Sequence, residues 1–393
     1  MYVAISALSV KPDRTGGGET VLRNLVHHLP LADPGIRYLI FVTQENQSLF
    51  AEHGSALTLR VVPNWVCSPA NRVLYELLVL PWVVRQRGVD LYFSINQVAS
   101  PLLPCPTIAF VQNLLYYHYR DFFRFSGSRL TAWMGAELRN LYYSSLQGIS
   151  VRRAVHTIAV SENVRQEVAR RENIPLAKIT TIPLAVATKN TAPLPGLTAN
   201  PTGARSPGTK PFFLMVGALS PYKNIDRAMA GLARLRKENP SRDLELVLLG
   251  LNSHGYEHHL RGVAAGLGIA HAVHFMGYVP HDQLGMWYQQ ARAFLLLSAC
   301  EAFPLPPLEA MAWGTPVIAS NLSSVPEVVG EGAVIVDPYD TAQVADALGK
   351  MTDDNHFRRT QIASGYRWVQ RFSWEQTATR IAALLRLCSQ RSR

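Results

Sequence analysis

Two glutamates, Glu301 and Glu309, stand seven residues apart in the stretch LLLSACEAFPLPPLEAMAWGTPVIAS, residues 295–320. Carboxylates at the two ends of such a segment can accept hydroxyls from separate parts of one elongated ligand, and a helix N-terminus between them offers amide donors to an anion. A molecule with hydroxyls at both ends and phosphate in the middle fits that chemistry. A local reading competes with it, because acidic side chains beside a helix start also complement the positive end of the macrodipole. The elements that would position the pair can be read from the same stretch. Its first residues form an apolar run suited to a strand buried on both faces, followed by a polar loop at Ser298 to Glu301. Pro306 and Pro307 suit a first helical turn, where a missing N–H costs nothing, and Leu308, Ala310, Met311 and Ala312 continue it. Gly314 ends that helix and Pro316 to Ala319 opens another buried strand. Glu301 is thus expected in the loop and Glu309 in the first turns of the helix.

Two further stretches could meet an anion. Pro211 to Val216 reads as a strand running into Gly217-Ala218-Leu219-Ser220-Pro221-Tyr222-Lys223-Asn224, with a helical pattern from Ile225. A strand, a glycine turn and a lysine at a helix start combine positive charge with aligned amides. Near the start, Tyr2 to Leu8 reads as a strand, then Thr15-Gly16-Gly17-Gly18-Glu19-Thr20 and a helical pattern through Leu29. Glycines there let backbone approach a ligand closely, although an ordinary flexible turn has the same composition.

The run Glu301-Ala-Phe-Pro-Leu-Pro-Pro-Leu-Glu309-Ala-Met-Ala, followed by Gly314-Thr-Pro-Val-Ile-Ala-Ser, resembles the E-x7-E signature of retaining, nucleotide-sugar-dependent glycosyltransferases of family 4, which have the GT-B fold. The resemblance implies that Glu301 binds hydroxyls of the transferred sugar and Glu309 those of the ribose. It implies that Gly17 and Gly18 lie near the donor diphosphate and the acceptor, that Lys223 beside Gly217 holds that diphosphate, and that backbone at Tyr278 reads the base. Family members often carry Gly or Pro at position 304; with Pro, the donors near the sugar are the N–H groups of Ala302, Phe303 and Leu305. Two departures stand out. Ala218 occupies a place where the family often has Arg, and Gln112 a place where many members have a sugar-contacting His. Gln112 can still bond a hydroxyl, with Asn113 and His118 as acceptor-side candidates on a loop after the strand Thr107 to Val111; a histidine among tyrosines is also a common structural feature. The resemblance implies retention at the anomeric carbon, and no residue stands out as a covalent nucleophile. No Asp-x-Asp metal motif was found, since Asp353-Asp354 reads as solvent-facing, so neither a metal nor another cofactor is expected beyond the nucleoside diphosphate sugar itself.

Length and composition bound the rest. A chain of 393 residues with 48% apolar content suggests two domains with ample cores. Alternating strands and helices predict an α/β fold of two Rossmann-like, doubly wound domains, which the GT-B resemblance sets facing across a cleft. Residues 1–186 form the expected acceptor-side domain, 187–210 a Thr-, Ala-, Pro- and Gly-rich linker, and 211–371 the nucleotide-sugar domain; by resemblance, a last helix at about 372–393 crosses back onto the first domain. Four scattered cysteines without a C-x-x-C pair suggest neither zinc nor a disulfide framework. The start lacks a basic segment ahead of its apolar residues and no apolar run approaches a membrane span, so a cytoplasmic protein is expected, soluble or peripheral on the membrane's inner face. Net charge is +10, with 19 Lys and Arg against 12 Asp and Glu in residues 1–200. No nucleic-acid signature accompanies that charge; an anionic membrane surface or a phosphate-bearing, lipid-linked acceptor suits it better, as does a saccharide acceptor with a merely solvated basic face. Phe122 to Arg153, rich in Arg and aromatic residues, reads as a helix suited to such an interface or to the domain core.

Rival classes are weaker. A dehydrogenase would need G-x-G-x-x-G after a strand with a later acid, and that pattern is missing. A non-catalytic sugar-nucleotide binder, or a phosphorylase or epimerase on the same scaffold, would differ in turnover rather than in sequence. The Pro-Tyr-Lys variant of the lysine segment resembles bacterial polysaccharide and O-antigen enzymes, many of them GDP-mannose-dependent mannosyltransferases.

Overall fold

The computed structural model describes residues 1–10, 17–50, 56–95, 98–123, 130–186, 210–252 and 255–391. Two compact units form: Met1–Ala185 together with Phe372–Arg393, and Val186–Arg371. Thr15, Gly16 and linker residues 187–209 lie outside the described residues.

The first unit is built on seven parallel strands: β1 (Tyr2–Ser6), β2 (Arg37–Val42), β3 (Leu57–Val61), β4 (Leu91–Ser94), β5 (Thr107–Val111), β6 (His156–Ala159) and β7 (Ile179–Thr181). Their order is β3-β2-β1-β4-β5-β6-β7, so the direction of winding reverses between β1 and β4. Central strands are apolar on both faces because helices cover both: Val3, Ile5, Phe41, Phe93 and Phe110 are fully buried, and the last two rings meet edge to face at 5.9 Å. The terminal helix Trp374–Arg391 belongs to this unit, where Thr377 donates to the Pro183 carbonyl at 2.9 Å and Arg386 pairs with Asp33.

Two helices differ from expectation. The one expected over Asn71 to Arg87 begins at Pro69 and carries a wider π turn at Tyr75–Val79 before resuming at Leu80–Gln86. Pro81 has no N–H to give the Leu77 carbonyl four residues back, so the regular ladder cannot pass through it; the Ser100 hydroxyl takes that carbonyl instead, at 2.8 Å. The loop expected after Val111 is instead the helix Leu115–Phe122, started by Asn113, whose side-chain oxygen accepts the Leu115 N–H at 2.7 Å. The long helix after it covers Leu130–Arg153, with 124–129 and the side chains of Trp133 and Leu138 outside the described residues.

The second unit repeats the plan with six parallel strands: β8 (Phe212–Val216), β9 (Glu245–Leu249), β10 (Val273–Gly277), β11 (Ala293–Leu296), β12 (Val317–Ser320) and β13 (Ala333–Val336). Their order is β10-β9-β8-β11-β12-β13, reversing between β8 and β11. In such sheets ligands bind beyond the carboxyl ends of the strands where the order reverses. The segments leaving β8 and β11 carry Lys223 and Glu301.

Candidate active site

Backbone contacts bring those segments together. Gly217, at φ +136°, follows β8, and Gly250, at φ +153°, follows β9. A Cβ on Gly250 would stand 1.9 Å from the Gly217 carbonyl oxygen, so the two turns touch main chain to main chain. Asn224 adopts the left-handed conformation at φ +52° before the helix Ile225–Glu238, and its amide donates to the Leu297 carbonyl at 2.8 Å. The Ala299 N–H donates to the Tyr222 carbonyl at 2.7 Å. These two bonds join the turn after β8 to the loop after β11. Their consequence is a contact between side chains 78 positions apart: Lys223 Nζ donates to Glu301 Oε1 at 2.6 Å, each side chain 14% exposed.

Glu301 is itself held by its main chain. Its N–H donates to Ser323 Oγ at 3.2 Å, while its carbonyl accepts the hydroxyls of Ser323 at 2.8 Å and Ser324 at 2.7 Å. Sequence reading gave neither serine a role; the signal was a Ser-Ser pair in the turn after a buried strand. Burial of the Lys223 ammonium works against its charge, but the Glu301 carboxylate, its hydrogen bond and Tyr222 outweigh burial and hold its pKa above the ordinary lysine value. The cation therefore persists throughout the neutral range.

Glu309 sits in the helix Leu305–Ala312, whose start tolerates Pro306 and Pro307 as expected. Tyr288 donates its hydroxyl to Glu309 Oε2 at 2.8 Å, and His281 Nε2 lies 3.0 Å from Oε1. Burial, then the carboxylate beside it, push the Tyr288 phenol well above its usual value, so it remains a donor. Tyr288 and His281 were also missed in sequence, because they come from 21 and 28 residues upstream on another helix and turn. Ala302, Phe303 and Leu305 are buried around the turn at 6%, 9% and 6% exposure, so a ligand would meet their backbone rather than their side chains. Tyr278 is exposed and follows Gly277, whose carbonyl accepts the Gly250 N–H at 2.7 Å. Among the described residues no group of three His, Cys, Asp or Glu side chains is arranged to hold a metal ion.

The remaining candidates lie in the first unit. Gly17 and Gly18 open the helix Gly17–Ala32. Gln112, at the carboxyl end of β5, donates its amide to the Ile95 carbonyl at 3.1 Å, and Asn113 starts the next helix. His118 stands on that helix rather than on a loop. Its Nδ1 is 2.9 Å from Asp121 and its Nε2 is 3.4 Å from Glu167, within a surface cluster that includes Arg171. The structure therefore gathers Gly217, Lys223 and Glu301 into one site and gives Glu309 its own pair of donors.

Comparison with known proteins gives the family. The model described as "Glycosyltransferase Family 4" matches residues 15–190, and that described as "Glycosyl transferases group 1" matches residues 199–368. The chain belongs to glycosyltransferase family 4. Among similar family members, the O-antigen chain mannosyltransferase B of Escherichia coli is 31% identical over 56% of this chain and 58% of its own length. The MMP alpha-(1->4)-mannosyltransferase of Mycolicibacterium hassiacum is 33% identical over 52% of this chain and 47% of its own. The chain thus spans about half the length of the curated relatives it matches. Among solved structures, Anabaena HepE in complex with UDP and glucose superposes with a TM-score of 0.70 at 17% identity, covering 98% of this chain and 99% of that one. That likeness shows the GT-B fold.

Proposed function

We propose that this chain is a retaining hexosyltransferase, moving a hexose from a nucleoside diphosphate sugar to a hydroxyl of a saccharide or lipid-linked acceptor in cell-surface polysaccharide synthesis. The observation that carries the reading is the Lys223–Glu301 contact at the reversal point of the second sheet. As the bond from the anomeric carbon to the diphosphate breaks, negative charge grows on the leaving oxygen, and a fixed ammonium stabilises that state more than the ground state. Glu301 accepts hydroxyls of the sugar and, through its pairing, aims the ammonium. Glu309, oriented by Tyr288 and His281, accepts the ribose hydroxyls. The acceptor hydroxyl forms the new glycosidic bond on the face that the diphosphate leaves, and its proton passes to the departing phosphate. The charge of Lys223 takes the part that a divalent ion plays in metal-dependent transferases, so activity is proposed to survive EDTA. Mannose from GDP-mannose is the first donor to try, since O-antigen chain mannosyltransferase B is among the similar proteins.

The working location proposed is the cytoplasmic face of the membrane, held peripherally. No helix among the described residues is long and apolar enough to cross a bilayer. Trp65, Leu74, Leu78 and Trp82 are exposed at 49%, 53%, 60% and 59%, and Arg60, Arg72, Arg85 and Arg87 accompany them in sequence. Exposed tryptophans beside arginines suit the headgroup layer of anionic lipid.

Nucleoside diphosphate release from GDP-, UDP- and ADP-sugars, with and without mannose-terminated acceptors, tests the reaction, and the anomeric configuration of the product tests retention. Binding of a donor without turnover on any acceptor would leave a sensor, and an inverted product would remove the retaining mechanism.

A further inference from the structure

The first sheet has its own reversal point, between β1 and β4, and no role assigned above uses what lies there. Ser6 ends β1, Tyr92 stands on β4, and the π turn Tyr75–Val79 brings Glu76 to both. The Ser6 hydroxyl, 4% exposed, donates to Glu76 Oε1 at 3.0 Å across 70 residues of chain. That bond engages Oε1 of the carboxylate. Arg72, one turn earlier on the same helix, supplies the positive charge that faces the carboxylate, and it donates to the Tyr143 hydroxyl at 3.0 Å. Tyr143 in turn stacks on Tyr116 with ring centroids 5.4 Å apart.

This is an uncommon set of circumstances for a structural carboxylate. Glu76 is partly buried and retains some solvent access. Burial pushes its carboxyl up against the opposing pull of Arg72 and Ser6. A single-turn π segment also costs regular helical bonding and is frequent at functional sites. Ser6, Glu76 and the Arg72–Tyr143 pair offer the mix that a sugar's hydroxyl groups require: carboxylate oxygens to accept, a guanidinium and phenol to donate, and stacked rings to cover a pyranose face.

We propose that Glu76, fixed by Ser6 and faced by the Arg72 that bonds Tyr143, is a hydroxyl-binding subsite for the saccharide acceptor at the reversal point of the first sheet. It deepens the transferase reading and rests on that reading for the identity of the bound saccharide as acceptor. Glu76 Oε2 takes the hydroxyl of a sugar unit; Ser6, already bonded to Oε1, acts as a positioning residue.

The test compares the whole wild-type chain with Glu76→Gln and Tyr143→Phe. Methyl α-mannoside and α-1,3-mannobiose serve as probes in saturation-transfer NMR, GDP-mannose and UDP-glucose as probes in calorimetry, and Tm is read by circular dichroism. The expected result is that Glu76→Gln weakens saccharide binding at least ~10-fold, leaves nucleotide-sugar affinity within about twofold, and holds or raises Tm, as relief of a carboxylate that burial disfavours should. Tyr143→Phe gives a smaller loss in the same direction and keeps the test alive should Glu76→Gln not fold. Saccharide binding unchanged in both variants, or undetectable in wild type, overturns the subsite. Failure of the wild type to bind any nucleotide sugar, with saccharide binding still dependent on Glu76, would instead remove the transferase reading and leave the subsite standing.

Discussion

The two units share one winding order, each reversing beside its first strand, yet the carboxyl edges of their sheets carry different chemistry. The second collects a compensated ion pair, Lys223 with Glu301, whose backbone is sewn to neighbouring loops by Asn224, Ala299, Ser323 and Ser324. The first carries neutral groups such as Gln112 and Ser6 together with carboxylates, Glu162 bonded to Thr181 and Arg165, and Glu76, whose carboxyl burial pushes up. A diphosphate leaving group needs fixed positive charge when its bond breaks, and rigidity keeps that charge from relaxing. An acceptor hydroxyl needs only orientation. One scaffold can serve both demands because strand order decides where a site lies while the turns decide what it contains.

The comparison breaks first if charge on the second edge is dispensable. Glu301→Ala and Lys223→Ala are each expected to lower kcat roughly 10²–10³-fold, as loss of one oriented transition-state donor does, measured as nucleoside diphosphate release with acceptor present. Turnover within a few-fold of wild type would remove both from the mechanism. Next, Lys223→Ala alone leaves the Glu301 carboxylate buried without its partner, at an expected cost of about 3 kcal/mol in urea unfolding. Lys223→Met combined with Glu301→Gln should recover much of that stability while turnover stays lost, which separates the pair's structural effect from its chemical one.

Smaller effects sharpen the contrast. Glu309→Gln is expected to weaken donor binding about 10-fold with little change in kcat, since the ribose contact is made equally in ground and transition states; calorimetry with the nucleotide alone reads it. Gly250→Ala drives a Cβ into the Gly217 carbonyl and should cost about 2 kcal/mol, lowering Tm and raising the donor KM through a displaced turn. The smallest effect is expected on the first unit's surface: His118→Ala removes contacts to Asp121 and Glu167 worth about 0–1 kcal/mol and should leave KM and kcat near wild type. An acceptor KM raised tenfold would instead place His118 in the acceptor site.

Strands and their alternation with helices could be read from the sequence because a doubly covered parallel strand must be an apolar run, and FFLMV at β8 or LYFS at β4 can hardly be anything else. Glu301, Glu309 and Lys223 were legible for a different reason: Glu301 and Lys223 lie in turns after strands and Glu309 in the short proline-started helix that follows, so glycines, prolines and the flanking strand dictate the local geometry of each. The interruption of the helix at 69–86 was half legible. Pro81 announced that a carbonyl would lose its donor, but only the fold shows Ser100 replacing it.

What no window of sequence contains is distance between segments. The amino-acid order alone determined the two sheets, the acidic pair at its spacing, and a lysine beside a glycine turn, since each depends on neighbours within a dozen residues. Tertiary structure decided that Lys223 meets Glu301, that Tyr288 and His281 grip Glu309, and that Ser6 reaches Glu76. Those contacts depend on strand order, which main-chain pairing and crossover geometry establish only once the whole sheet has assembled.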